Sequence, residues 1–146
     1  SKTWNEKFTL ELNYERTYWS AYETLEFTGT PLPITAKDWE DTNTFRIGAT
    51  IELEKITMMM GFAIDETPIP GEKVSFELPD SDAKIFSMGF RYQQTEELSW
   101  GAAFLYDSKE SFSMTPGVSH NPVLAKGGTF HEGGAFLTTV GMAYEF

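Results

Sequence analysis

The sequence has no cysteine, few basic residues and no long apolar run, and each absence removes a class of protein. Without cysteine there is no disulfide and no thiolate metal site, which leaves the compartment open. Eleven Lys and Arg stand against 22 Asp and Glu, a formal net charge of −11. Phosphate backbones attract the opposite sign, so nucleic acid is not an expected partner. No segment approaches the roughly 18 consecutive apolar residues of a membrane-spanning helix. The opening "SKTWNEKFTLEL" lacks an apolar h-region and soon enters a strand pattern, so it is not read as a signal sequence and the chain is expected to be a mature or excised segment. Chemistry-bearing motifs are missing too. "DSD" at Asp80–Asp82 lacks the Gly and the distant Glu of a calcium loop, and His120 and His131 have no partner at ligand spacing. "KGGTFHEGG" is not followed by Gly-Lys-Ser/Thr, and no nucleophile is paired with a base in a recognisable motif. No enzymatic activity, metal or cofactor is therefore expected.

What the sequence does have is alternation with a period of two. Six runs carry it: "KFTLELNYERTYW", "TFRIGATIEL", "ITMMMGFAID", the two halves of "SMGFRYQQTEELSWGAAFLYD", and "FLTTVGMAYEF". In each, large apolar residues occupy one parity, such as Met58, Met60 and Phe62, while small or polar residues occupy the other, such as Thr57, Gly61 and Ala63. Glu54-Lys55 and "QTEE" read as tight turns, whereas the segments around 28–41, 66–82 and 109–134 are long, polar and rich in Gly, Pro and Asp. Short turns at one end and long loops at the other fit a transmembrane antiparallel up-and-down β-barrel, with the bulky parity toward lipid and the long loops extracellular. Tyr14, Tyr92, Trp100, Tyr106 and Tyr144 fall toward strand ends, where amphipathic rings suit the bilayer interface. A soluble β-sandwich or lipocalin-like barrel with its large residues inside fits the alternation equally, but gives no reason for the loop asymmetry. The membrane reading expects residues 8, 10, 12, 45, 47, 51, 58, 60, 62, 86, 88, 90, 100, 104, 140 and 142 to face outward. It expects Glu11, Arg46, Glu52, Arg91 and Glu145 to face inward. Arg16 is the exception: it shares the parity of Tyr14 and Tyr18, and needs a bulge or a position above the hydrocarbon.

"FAIDETPIPGEKVSFELPDSDAKIFSMGFRY" resembles a block of the FadL/TodX-type outer-membrane long-chain fatty acid and hydrocarbon transporters. In that block a strand ends in an acidic-Ser/Thr-Pro-x-Pro loop, followed by Pro-Asp-x-Asp and a strand reading apolar-Ser-x-Gly-x-x-Tyr. "WEDTNTFRIGATIEL" resembles the family's preceding strand, "LELNYERTYWSAYETLEF" its Trp-Ser strand, and "GMAYEF" its terminal strand with the closing Phe146 that the barrel assembly machinery recognises. The resemblance spans essentially all 146 residues. It implies an all-β segment, residues 1–146 with no second domain, forming about the last six strands of a barrel of roughly fourteen. It also implies residence in the bacterial outer membrane, contact with its lipid, and passive diffusion of long-chain fatty acids or other hydrophobic compounds. Six strands do not easily close a barrel, since about eight is the smallest bacterial case. A structural or adhesive outer-membrane barrel stays open as an alternative, as does a soluble lipid-binding barrel. By spacing, Lys37 matches a family lysine that contacts the ligand head group, with a solvated loop lysine as the other reading. Arg46 and Arg91 are further candidate ligand-binding cations, or partners of carboxylates such as Glu11, Glu15 or Glu52. Asp65 matches a family acidic position, implying a gating or plug contact, unless it caps a turn.

Overall fold

The structure is a computed structural model that describes residues 1–25, 29, 35–71, 74, 80–114 and 126–146. Its strands are β1 (Lys2–Trp4), β2 (Phe8–Thr17), β3 (Thr24–Leu25), β4 (Thr35–Ala36), β5 (Thr42–Glu52), β6 (Ile56–Asp65), β7 (Ala83–Gln93), β8 (Leu98–Lys109), β9 (Phe112–Met114), β10 (Gly128–Phe130) and β11 (Gly134–Tyr144). A 3₁₀ turn, Trp19–Ala21, follows β2. Seven strands form one antiparallel sheet in the order β1-β2-β5-β6-β7-β8-β11, each hydrogen-bonded to the next. The remaining four make two small hairpins, β3–β4 and β9–β10, inside the long connections.

The six alternating runs became β2, β5, β6, β7, β8 and β11. Strand β1 is an addition to them. It is three residues long, too short for a period-two pattern to show, and its turn carries no glycine. Asn5 and Glu6 both take positive φ, 50° and 56°, and the Lys7 N–H bonds to the Trp4 carbonyl at 3.1 Å. That is the type I′ geometry whose twist matches antiparallel strands. At the other end of the chain β11 stops at Tyr144, so Glu145 and Phe146 lie past the last paired residue. The inward placement of Glu145 therefore has no register to carry it, although its N–H still reaches the Glu97 carbonyl at 2.8 Å.

The register explains why the alternation is so clean. Phe62 stands opposite Phe86, Phe86 opposite Tyr106, and Tyr106 opposite Phe136, so one large side chain meets another across four strands. On the other face Gly48 stands opposite Gly61, Gly61 opposite Ser87, and Gly101 opposite Gly141. The bulky face is bare: Leu12 is 70% exposed, Phe136 71% and Val140 80%. A face of this extent left in water would forgo the roughly 25 cal/mol per Å² that burial supplies, so its stable surroundings are apolar. Its polar tips lie at the two rims. Tyr14 donates its hydroxyl to Asn43 at 2.9 Å at the long-loop end, while Trp100 donates to Gln94 at 2.6 Å and Tyr144 to Glu97 at 3.0 Å beside the short turn. Tyr92 is eight residues along β7 from Lys84, about 26 Å of strand, or about 20 Å of height at a tilt of ~40°.

Arg16 needs no bulge. Pairing of β2 with β5 is unbroken from Phe8–Ile51 to Thr17–Thr42, and Arg16 is the penultimate residue of its strand. There its guanidinium donates to Asn43 at 3.2 Å, pairs with Asp41 at 3.5 Å and lies 5.7 Å from the Tyr18 ring centroid.

Burial concentrates at the long-loop end of the small-residue face. Thr42, Thr44 and Ala83 are buried there, and Ile69 and Val74 form a small core with Trp39, Phe112 and Phe130 packed against it. Among the described residues between β6 and β7, Ile69 and Val74 are thus buried against Trp39, Phe112 and Phe130 at this end.

Candidate functional site

Two features on the covered side have chemistry to offer, one in the loops and one on the wall of the sheet. The loop feature is built on Lys37. Its N–H bonds to the Glu23 carbonyl at 2.9 Å, which extends the β3–β4 hairpin by one rung. Asp38 then takes a left-handed φ of 46°, a conformation that Asp tolerates better than most residues, and Trp39 follows it into the small core. The Trp39 ring meets Trp19 edge-on at 5.4 Å and Tyr22 at 5.5 Å, and the Lys37 ammonium sits 5.7 Å from its centroid. Among the described residues the ammonium has no carboxylate partner. A half-buried cation against an aromatic surface offers an anionic head group its counter-charge and offers an attached chain an apolar bed.

The wall feature is a shallow trough of about 480 Å³ on the small-residue face. Glu11, Asn13 and Arg46 line one side, and Ala63, Ile85 and Leu105 the other. Arg46 is committed within it: its guanidinium pairs with Glu15 at 2.8 Å and donates to Asn13 at 3.2 Å, across the β2–β5 pairing. Arg91 lies elsewhere, in a recess with Thr57, Met59 and Ser99 toward the short-turn end. Arg46 stands opposite Ala63, which stands opposite Ile85, and Arg91 is six residues farther along β7. That is about 20 Å of strand, so the two arginines do not share a site. Asp65 stands opposite Thr44 and accepts its hydroxyl at 2.5 Å, tying the ends of β5 and β6 together.

Sequence reasoning missed a polar knot at the same end. Asp80 accepts from Lys109 at 2.5 Å and from the Thr67 hydroxyl at 2.7 Å, Asp82 accepts the Thr67 N–H at 2.9 Å, and the Ser81 hydroxyl donates to the Glu110 carbonyl at 2.8 Å. Burial pushes the Asp80 carboxyl up, but the hydrogen bonds from Lys109 and Thr67 outweigh it and hold Asp80 below the usual carboxylate range. Asp41 is held low as well, first by hydrogen bonds from Ser20 and then by Arg16. The "DSD" motif marked the knot's place without its partners. His131 borders the knot's recess, and His120 lies outside the described residues.

The family model described as "Outer membrane protein transport protein (OMPP1/FadL/TodX)" matches residues 1–146, the whole chain. This chain belongs to that family. Among curated relatives, a "Long-chain fatty acid transport protein" of Escherichia coli is 28% identical over 116 residues, which cover 74% of this chain and 26% of the relative. A "47 kDa outer membrane protein" of Pasteurella multocida is 28% identical over 105 residues, 69% of this chain and 24% of that one. The crystal structure of a Pseudomonas aeruginosa FadL homologue superposes with a TM-score of 0.78 at 23% identity, covering 97% of this chain and 33% of the homologue. The sheet is therefore part of a FadL-type outer-membrane β-barrel, as the resemblance of the 61–92 block implied. In a barrel of this family the bulky face meets lipid and the small-residue face lines the lumen. The chain spans about a quarter of the curated relatives' length and a third of the solved homologue's.

Proposed function

We propose that this chain is the C-terminal part of a transporter that lets long-chain fatty acids or other hydrophobic compounds diffuse passively through the outer membrane, with Lys37 holding the carboxylate of an acidic substrate. The observation that carries the head-group role is the Lys37 ammonium above Trp39, without a carboxylate partner among the described residues and with Trp19 and Tyr22 behind the ring. An anion moving out of water needs a charged donor, and this cation lies against a ring that two further aromatic side chains back. Arg46 serves the wall instead, neutralised by Glu15. The apolar side of the trough, Ala63, Ile85 and Leu105, then accommodates the chain of the substrate. Asp65, fixed by Thr44 on the lumenal face, serves as a contact for the lumen-filling plug of the complete protein. Phe146, past the last strand, serves as the handle for barrel assembly. Diffusion down a gradient uses no covalent chemistry, so no enzymatic step belongs to this reading.

The test is equilibrium binding of a fatty acid and a matched alkane to the full-length protein in detergent, with folding checked by heat-modifiable gel mobility. Lys37→Ala should weaken fatty-acid binding by about 1.5–3 kcal/mol, the scale of a charge-assisted hydrogen bond, and leave the alkane unchanged. Lys37→Arg should retain much of the affinity. Arg46→Ala should bind the acid like the parent. If instead the Arg46 variant loses the acid and the Lys37 variant does not, the head-group role moves to Arg46. Normal binding by both places the cation outside these residues.

A further inference from the structure

Beneath the polar knot one carboxylate is left over. Asp107 lies on the lumenal face of β8, opposite Ile85 and Ala135, and its Oδ1 is buried with no hydrogen-bond partner. Burying a carboxylate oxygen without a donor is costly, and among the described residues this is the buried side-chain atom that asks for a partner absent in this arrangement. Lys109 is the nearest cation along the strand. It is two residues away on the same face, about 6.6 Å of rise, which a lysine side chain spans. In the structure, however, its ammonium is turned up to Asp80.

We propose that Lys109 is the moving part of a latch with two carboxylate seats: Asp80 in the loop when closed, and Asp107 on the wall when released. In the closed seat Lys109 and Thr67 hold Asp80 against the end of β8, while Asp82 and Ser81 add bonds to Thr67 and Glu110. Lys84 pairs with Glu110 at 2.8 Å on the opposite parity and takes no part in the exchange. In the closed seat Asp80 and Lys109 form the polar side of a recess of about 210 Å³ whose apolar side is Val74, Phe112 and Phe130. Release without a second seat strands both an ammonium and a carboxylate. With Asp107 in place, Lys109 passes from one anion to another and Asp107 gains its missing donor. The two arrangements are then close enough in free energy for the mouth of the lumen to sample both. This goes beyond the Lys37 reading and does not depend on it, since no ligand enters the exchange.

The test uses Val74, which is 2% exposed when the latch is closed, as a reporter. Val74→Cys is made in full-length protein with no other cysteine, and the rate of maleimide labelling follows the open population where opening is fast relative to labelling. Asp80→Asn should raise the rate about tenfold or more, the loss of a charge-assisted bond from the closed seat. Asp107→Asn should lower it about threefold or more, because the released seat is gone. The deciding measurement repeats Asp107→Asn in a Lys109→Met background, where the slowing should vanish. Slowing of the same size there means Asp107→Asn acts by relieving its own burial, and the latch is wrong. No slowing with Lys109 present overturns it as well. Ile69→Cys, on the same small core, repeats the series if the Val74 variant fails the heat-modifiability check.

Discussion

Met88 and Ser87 are adjacent in β7 and face opposite media. Met88 is paired with Met60 and Phe104 on the lipid face, and Ser87 with Gly61 and Leu105 on the lumenal one. An arginine at Met88 has only hydrocarbon around it, whereas one at Ser87 extends into a lumen that tolerates charge. Met88→Arg should therefore destabilise the full-length barrel by about 2–4 kcal/mol and Ser87→Arg by much less, read as the shift in urea midpoint of the refolded protein. Equal costs would remove the lipid assignment of the bulky face. Asp80 gives a second prediction at this scale. Its folded pKa lies below its ordinary value of 3.8, so its contribution is fully present above that value and is lost as pH falls through the depressed one. Labelling of the Val74→Cys variant by a reagent with pH-independent chemistry should be level between about pH 5 and 8 and rise below about pH 4, while the Asp80→Asn background should show no such rise.

The strands owe their regularity to paired choices across neighbours. Gly48 and Gly61 face each other, Gly89 sits one inward position farther toward the short turns, and Gly101 and Gly141 face each other one position farther again. The strand ends step in the same sense, since β5 closes at Glu52 opposite Thr57 and β11 closes at Tyr144 opposite Leu98. The glycines thus keep one level above the turns, and the lumenal wall is thinnest there. A Cβ at Gly89 meets the Ala102 carbonyl and the Ala103 Cβ at 3.2 Å, both anchored to backbone, whereas a Cβ at Gly141 meets nothing within 4 Å. Gly89→Val should cost about 1–3 kcal/mol and Gly141→Ala should be neutral or gain about 0.5 kcal/mol, again by denaturant midpoint. This level of organisation was largely open to a reader of the sequence. Strand β6 was legible residue for residue at 56–65, and the parity of every long strand was right because an unbroken register preserves it. Strand β1 was hidden because three residues show no period, and the β3–β4 and β9–β10 hairpins because they are held by contacts made in the loops. Within the site the same divide holds. Arg46 and Glu15 lie on the same face of neighbouring strands, so their pairing could be anticipated, as could the strand-end escape of Arg16. The rings that back Trp39 are Trp19 and Tyr22, about 20 residues upstream, and Asp80 meets Lys109 across 29 residues, distances at which alternation says nothing.

As a whole, the seven-stranded sheet is open. Among the described residues the far edge of β11 is unpaired along all eleven residues, and β1 covers β2 only from Phe8 to Leu10. About half the residues of an antiparallel edge point their N–H and C=O groups outward, so β11 alone presents about five of each. At several kcal/mol per unsatisfied group in hydrocarbon, that cost exceeds the 5–15 kcal/mol that stabilises a typical domain. A sheet with this lipid face and these edges is consequently stable in a bilayer only when further strands run along β11 and the upper part of β2. The relatives are long enough to supply them, since this chain matches about a quarter to a third of each. Refolded alone in detergent, residues 1–146 should give no heat-modifiable monomer, and refolded together with the remainder of the parent polypeptide they should give one that migrates like the intact protein. Proline at alternate positions of β11 should then block recovery at those residues whose N–H faces the open edge and also at those bonded to β8, because in the closed barrel both sets are in use. A monomeric, heat-modifiable fold from the 146 residues alone would mean that the two edges find each other, and that the lumen described here is closed by its own seven strands.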